Sequence, residues 1–116
     1  MSRAIDHLVL CVNDLDAACD AYRKLGFTVT PRANHPFGTG NALIQLDGMY
    51  IELLAVIEPE KIAETDLAAP FSFPIYNRDY LRQREGMSML ALQSRDAEKD
   101  REAFIAAGAA VPARGA

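Results

Sequence analysis

Residues Asn41 to Val56 read NALIQLDGMYIELLAV, and this stretch decides the fold. Two apolar runs, Asn41 to Leu46 and Met49 to Val56, flank Asp47-Gly48. Asp-Gly between such runs is a strong signal for a two-residue β-hairpin. The turn also fixes the register. Leu46 falls opposite Met49, Gln45 opposite Tyr50, Ile44 opposite Ile51 and Leu43 opposite Glu52. Strand alternation then puts Ile44, Leu46, Ile51 and Leu53 on one wholly apolar face, suited to receive a helix. Leu43, Gln45, Tyr50, Glu52 and Leu54 form the other face.

Working back toward the N-terminus, Asp6 to Val12 (DHLVLCV) is short, apolar and partly β-branched, which predicts a strand. Leu8, Leu10 and Val12 match the apolar face, leaving His7, Val9 and Cys11 on the mixed one. Asp14 is placed to cap a helix in which Leu15, Ala18, Cys19, Tyr22 and Leu25 recur at helical spacing. Gly26 supplies the stop, and Arg23-Lys24 suit the negative end of the helix dipole. Phe27 to Thr30 predicts a second strand ending at Pro31. Arg32 to Gly40 (RANHPFGTG) predicts a turn-rich loop. The order is β-α-β-β-β. His7, Gln45, Tyr50 and Glu52 share the face away from the helix, which is too apolar to lie bare in water and too polar for an ordinary core. A lined pocket accounts for both properties.

Downstream, the chain repeats itself. A shift of 82 positions aligns Asp14 with Asp96, Ala21 with Ala103, Tyr22 with Phe104, Gly26 with Gly108, Val29 with Val111 and Arg32 with Arg114. Met87 to Gln93 then takes the place of the first strand and Asp96 to Ala107 that of the capped helix. Self-similarity of this kind predicts duplication of one unit, with chance matching of Ala-rich helices as the alternative. The expected organisation is α+β: a βαβββ module at 1–57, a connector at 58–86 and the opening β-α-β of a second module at 87–116. The connector holds Pro59, Pro70 and Pro74, a short helix from Pro59 to Glu64 and a polar helix from Tyr76 to Glu85, and its aromatic residues suit it to cover a pocket. Ala116 corresponds to Asn34, so the last two strands of the second unit are not in the sequence. The expectation is a fragment of a longer two-module protein, with a partner completing the sheet as the alternative.

Composition narrows the function classes. The chain has 116 residues, half of them hydrophobic, enough for one modest core. A net charge of -4 and the lack of a basic stripe argue against nucleic acid as partner. The apolar runs are too short to span a bilayer, so no membrane association is expected. Cys11 and Cys19 fit neither a zinc pair nor a disulfide framework. Cys19 suits helix packing, and Cys11 suits a small buried hydrophobe better than a nucleophile. A cytoplasmic protein is the default, and sheet-edge pairing favours a C2 homodimer.

The βαβββ order, Ile5-Asp6-His7-Leu8-Val9 and Tyr50-Ile51-Glu52-Leu53-Leu54 resemble the vicinal oxygen chelate superfamily of glyoxalase I, bleomycin-resistance proteins and extradiol dioxygenases. The loop His35-Pro36-Phe37-Gly38-Thr39-Gly40-Asn41 and the Arg84-Glu85-Gly86 connector look like the branch of glyoxalase-like domain proteins. The resemblance covers nearly the whole chain. It implies paired modules forming a cup, with a divalent metal (Zn, Mn, Fe or Ni) held by His7 and Glu52 in the first module. In the second module the position equivalent to His7 is Met89, a poor ligand for hard ions.

Two functional readings follow. In the first, the protein acts on a small oxygenated metabolite as a metal-assisted lyase or isomerase, or a dioxygenase-type enzyme, with Glu52 moving a proton. In the second, it is a metal-free module that binds, sequesters or senses a small molecule. His7 is a metal ligand, a pocket histidine bonded to Tyr50 or Glu52, or a general acid-base. An acid in the middle of an apolar strand is expensive unless paired, so Glu52 is either functional or bridged to Arg32 or a connector arginine. Gln45 and Tyr50 shape the pocket. His35, Thr39 and Asn41 are expected to donate hydrogen bonds to the ligand, or else serve only the turn.

Overall fold

The Asp47-Gly48 hairpin forms in the register its sequence predicts. The protein is described by a computed structural model covering residues 3–62 and 71–110. Strands β4 (Thr39–Gln45) and β5 (Tyr50–Val56) pair antiparallel, with Leu43 opposite Glu52, Ile44 opposite Ile51 and Gln45 opposite Tyr50. The Leu46 N–H donates to the Met49 carbonyl at 2.9 Å and closes the turn. β4 starts two residues earlier than expected, because Thr39 and Gly40 also pair, with Val56 and Ala55.

Strand β1 (Ile5–Cys11) lies beside β5 in parallel, setting His7 opposite Tyr50, Val9 opposite Glu52 and Cys11 opposite Leu54. Helix α1 (Leu15–Lys24) follows, capped as its sequence requires. The Asp14 carboxylate accepts from the Ala17 N–H at 3.0 Å. Beyond the helix Gly26 has φ +97°, a left-handed conformation that lets the Phe27 N–H reach the Tyr22 carbonyl at 3.1 Å. Leu25, expected on the packed face, is 73% exposed because it occupies the C-cap, where the chain turns off the sheet.

The expected second strand forms as β2 (Thr28–Val29), and a further short strand, β3 (Ala33–Asn34), arises in the expected loop; both run antiparallel to β4. The break is at Pro31, which has no N–H to give a ladder. Thr30 repairs it, donating its N–H to the Leu43 carbonyl at 2.9 Å and accepting the Leu43 N–H on Oγ1 at 2.8 Å. The stretch 32–40 was expected to be all loop, and β3 is too short to show a period in sequence.

In the connector, Pro59–Lys61 form a 3-10 turn; the end of the expected helix, 63–64, lies outside the described residues. Helix α2 (Phe73–Gln83) begins three residues before the expected Tyr76. Ser72 caps it, accepting from the Ile75 N–H, and Pro74 fits its first turn, where no N–H is needed. Strand β6 (Gly86–Leu92) runs antiparallel to β1, completing the order β2-β4-β5-β1-β6, with β3 also on β4. Helix α3 (Ala97–Ala106) is capped by Asp96, which accepts from the Lys99 N–H at 3.1 Å. The strand expected around Val111 to Arg114 lies outside the described residues.

Two apolar clusters sandwich the sheet. On one face α1 packs Leu15 and Cys19 against Val12, Ala42, Ile44, Leu53 and Ala55. On the other, Phe73, Tyr80 and Leu81 of α2 cover Val9, Cys11 and Leu54, with Met89 of β6 beside them. The sequence reading gave this face to a pocket that the aromatic-rich connector could cover; α2 of that connector packs directly on half of it. Among the described residues no helix is long and apolar enough to cross a membrane.

Candidate functional site

The half of that face not covered by α2 carries the candidate site residues His7, Tyr50 and Glu52. His7 and Tyr50 are neighbours across β1 and β5, and their rings stack, with centroids 4.7 Å apart and planes 4° from parallel. Glu52, two residues further along β5, lies on the same side. Its Oε1 is 3.9 Å from His7 Nε2, and the two side chains are only 13% and 22% exposed. Its Oε2 accepts from Asn41 Nδ2 at 2.9 Å. The other nitrogen of His7, Nδ1, is 2.7 Å from Asp6 Oδ2. Burial, together with Asp6 and Glu52 nearby, pushes the Tyr50 phenol up, so its hydroxyl remains a hydrogen-bond donor.

Glu52 is therefore held by an amide on one oxygen and faces an imidazole with the other. The alternative partner, Arg32, pairs with Asp16 at 2.9 Å instead. A shielded carboxylate is costly without such contacts, and here they engage one oxygen fully and leave the other beyond direct hydrogen-bond reach of His7.

The other expected residues divide. Asn41 joins the site through Glu52. Gln45 sits at the exposed end of β4, opposite Tyr50. His35 and Thr39 bond each other instead, His35 Nδ1 lying 2.7 Å from a Thr39 hydroxyl that is almost fully buried. Their loop is fixed by Gly38, at φ +102°, where a Cβ would fall 2.6 Å from the Glu58 carbonyl oxygen. The Gly38 carbonyl in turn accepts from the Ile57 and Glu58 N–H groups at 2.9 Å each.

Cys11 is fully buried, and its thiol hydrogen-bonds Asn77 Oδ1 at 3.1 Å and Ser88 Oγ at 3.3 Å. Burial pushes the thiol up, which suits packing rather than nucleophilic attack. Sequence reasoning missed Asn77, an amide with no exposed surface that also accepts from the Ser88 hydroxyl at 2.6 Å and donates to the Phe73 carbonyl at 2.9 Å. It also missed Asp6, which alternation assigns to the opposite face from His7.

His7 and Glu52 supply two donors suited to a divalent ion, and no group of three or more His, Cys, Asp or Glu able to hold one occurs among the described residues. Met89, opposite Val9 across the β1–β6 pair, adds no hard donor. These residues do not by themselves fit a tightly held catalytic metal. A groove of about 920 Å³ opens at the start of β1, lined by Arg3, Gln93, Arg95, Lys99 and Asp100 among others, and meets the site only through Asp6.

Comparison with known proteins agrees with the fold. No functionally curated protein matches the chain. Solved structures do. A hypothetical protein from Bacillus halodurans superposes with a TM-score of 0.69 at 18% identity, over 93% of this chain and 70% of that one. Methylmalonyl-CoA epimerase from Mycobacterium tuberculosis gives 0.65 at 22% identity, over 90% of this chain and 64% of its own. A Streptomyces coelicolor methylmalonyl-CoA epimerase in complex with 2-nitronate-propionyl-CoA gives 0.61 at 23%, over 92% and 74%. At these identities the likeness is one of fold, that of the vicinal oxygen chelate proteins, and the chain spans less than two thirds of the mycobacterial enzyme. A glyoxalase-like domain matches residues 5–115, nearly end to end, and with the βαβββ order and the strand register already established the chain belongs to that family.

Proposed function

We propose that the chain acts on a small oxygenated metabolite, moving a proton at a carbon next to a carbonyl group, with Glu52 as the base. The observation carrying this reading is the Glu52 carboxylate itself: shielded, held by Asn41 on one oxygen and turned toward His7 with the other. In this reading Tyr50 and Gln45 hold the ligand's carbonyl oxygen, while His7 holds a second polar group. In this reading His35 contacts the ligand, held in place by the buried Thr39 hydroxyl. Two of the structural relatives are epimerases, enzymes that invert a stereocentre, which is in keeping with proton transfer at carbon. The proposed organisation remains a first unit at 1–57, a connector at 58–86 and the start of a second unit at 87–116, in a cytoplasmic homodimer.

The alternative reading is a binding protein of the same fold that holds its ligand unchanged. The two-donor set at His7 and Glu52 favours it.

The test is exchange of carbon-bound hydrogen in D2O, followed by proton NMR. Dihydroxyacetone, pyruvate and methylmalonyl-CoA serve as probes. The expected outcome is catalysed loss of an α-proton signal from at least one, falling about 100-fold or more in Glu52→Gln. Binding without exchange supports the alternative, and exchange that survives Glu52→Gln removes Glu52 from the site.

A further inference from the structure

Neighbouring residues of a regular strand point to opposite faces, yet the Asp6 carboxylate contacts the imidazole of His7. The strand is irregular at this point. Ile5 pairs with Leu92 and His7 with Ala91, so the β1–β6 ladder slips by one residue across Asp6. Slips of this kind re-aim a side chain. Here the slip brings Asp6 Oδ2 to 2.7 Å from His7 Nδ1.

A carboxylate offers only lone pairs, so the hydrogen in that contact belongs to the imidazole and sits on Nδ1. Nε2 of the neutral ring is then an acceptor. The ring stacks on Tyr50, and its Nε2 is 3.9 Å from Glu52 Oε1. That separation is too long for a direct hydrogen bond. Asn41 already occupies the other oxygen of Glu52. Two acceptors thus face one gap.

We infer that Asp6 is a positioning residue, which holds His7 as the Nδ1–H tautomer so that the gap between His7 and Glu52 receives a hydrogen-donating group of the ligand, such as a hydroxyl. A carbonyl oxygen or an anion entering the gap meets two lone pairs and is rejected. The inference rests on the proposed function for its catalytic consequence, but its first test needs no ligand.

The chain contains two histidines, which makes the tautomer directly readable. In 15N-labelled full-length protein in alkaline buffer, where imidazole is neutral, two-bond 1H–15N correlations distinguish the protonated nitrogen from the bare one. The expected result is a protonated-type signal on Nδ1 of His7 and a bare-type signal on Nε2. In Asp6→Ala the protonated-type signal moves to Nε2, and in Asp6→Asn, which keeps a neutral acceptor, it moves only part of the way. His35, tied to Thr39, reports whether each variant stays folded. A protonated Nε2 in the parent protein overturns the inference even if Asp6→Ala fails to fold. So does a folded Asp6→Ala with an unchanged His7 pattern. Either result leaves the Glu52→Gln exchange assay standing on its own.

Discussion

The two halves of the sheet face opposite α1 are built from the same strands and do opposite things with their polar groups. In the closed half, under α2, the buried Cys11 and Asn77 and the half-buried Ser88 satisfy one another beside the cluster of Val9, Leu54, Phe73 and Leu81. In the open half, His7 and Glu52 turn acceptors toward a shared gap, while Asp6 and Asn41 hold the other nitrogen of His7 and the other oxygen of Glu52. A closed network rigidifies, whereas acceptors held apart await a ligand. The comparison teaches that polarity alone does not mark a site; what marks it is polarity that the fold orients and leaves unpaired.

The predictions follow from that contrast. In the closed half, Leu54→Ala removes a fully buried side chain and is expected to cost about 2–5 kcal/mol, read from the denaturation midpoint. A loss below 1 kcal/mol would mean that α2 does not seal this half. Asn77→Ala removes a fully buried amide and leaves the half-buried Ser88 hydroxyl without its acceptor, and is expected to cost about 1–3 kcal/mol. The smallest stability effect is expected in the open half. Glu52→Gln keeps an acceptor for Asn41 and should stay within about 0.5 kcal/mol of the parent. If Glu52→Gln destabilised as much as Asn77→Ala, the two halves would be alike and the distinction would fall.

A second pair of regions sharpens the same point. The Asp14 and Asp96 caps, the left-handed Gly26 and Gly108, and the returning N–H of Phe27 and Ala109 recur 82 positions apart. Yet α1 buries Leu15 and Cys19, while α3 buries no residue and leaves Phe104 and Ile105 about half exposed. Asp14→Ala is therefore expected to lower global stability by about 1 kcal/mol. Asp96→Ala should increase amide exchange within α3 and leave the denaturation midpoint nearly unchanged. Equal global effects would show that α3 is as firmly packed as α1.

Much of this was legible in the residues. Asp47-Gly48 set the hairpin register, and alternation from it put Tyr50 and Glu52 on the face with His7, because local turn chemistry and a period of two suffice for that. The role of α2 was legible only in outline: the aromatic residues of the connector suited it to cover a pocket, but not to seal half of the face. Its mixed composition shows no clean apolar stripe, and the value of Asn77 depends on Cys11 and Ser88, which only the tertiary fold brings to it. Asp6 was hidden for a different reason: alternation assigns it to the far side, and a one-residue slip in the ladder has no signature in sequence. The break at Pro31 was visible as the end of a strand, but not its resumption at Ala33.

The central claim is that His7 and Glu52 serve one ligand in one place. A double-variant cycle tests it most directly, with deuterium exchange of the most responsive probe measured for the parent, His7→Ala, Glu52→Gln and the combined variant. Groups acting as a unit give a combined variant hardly slower than the worse single one. Losses that simply add would show two independent groups and contradict the account.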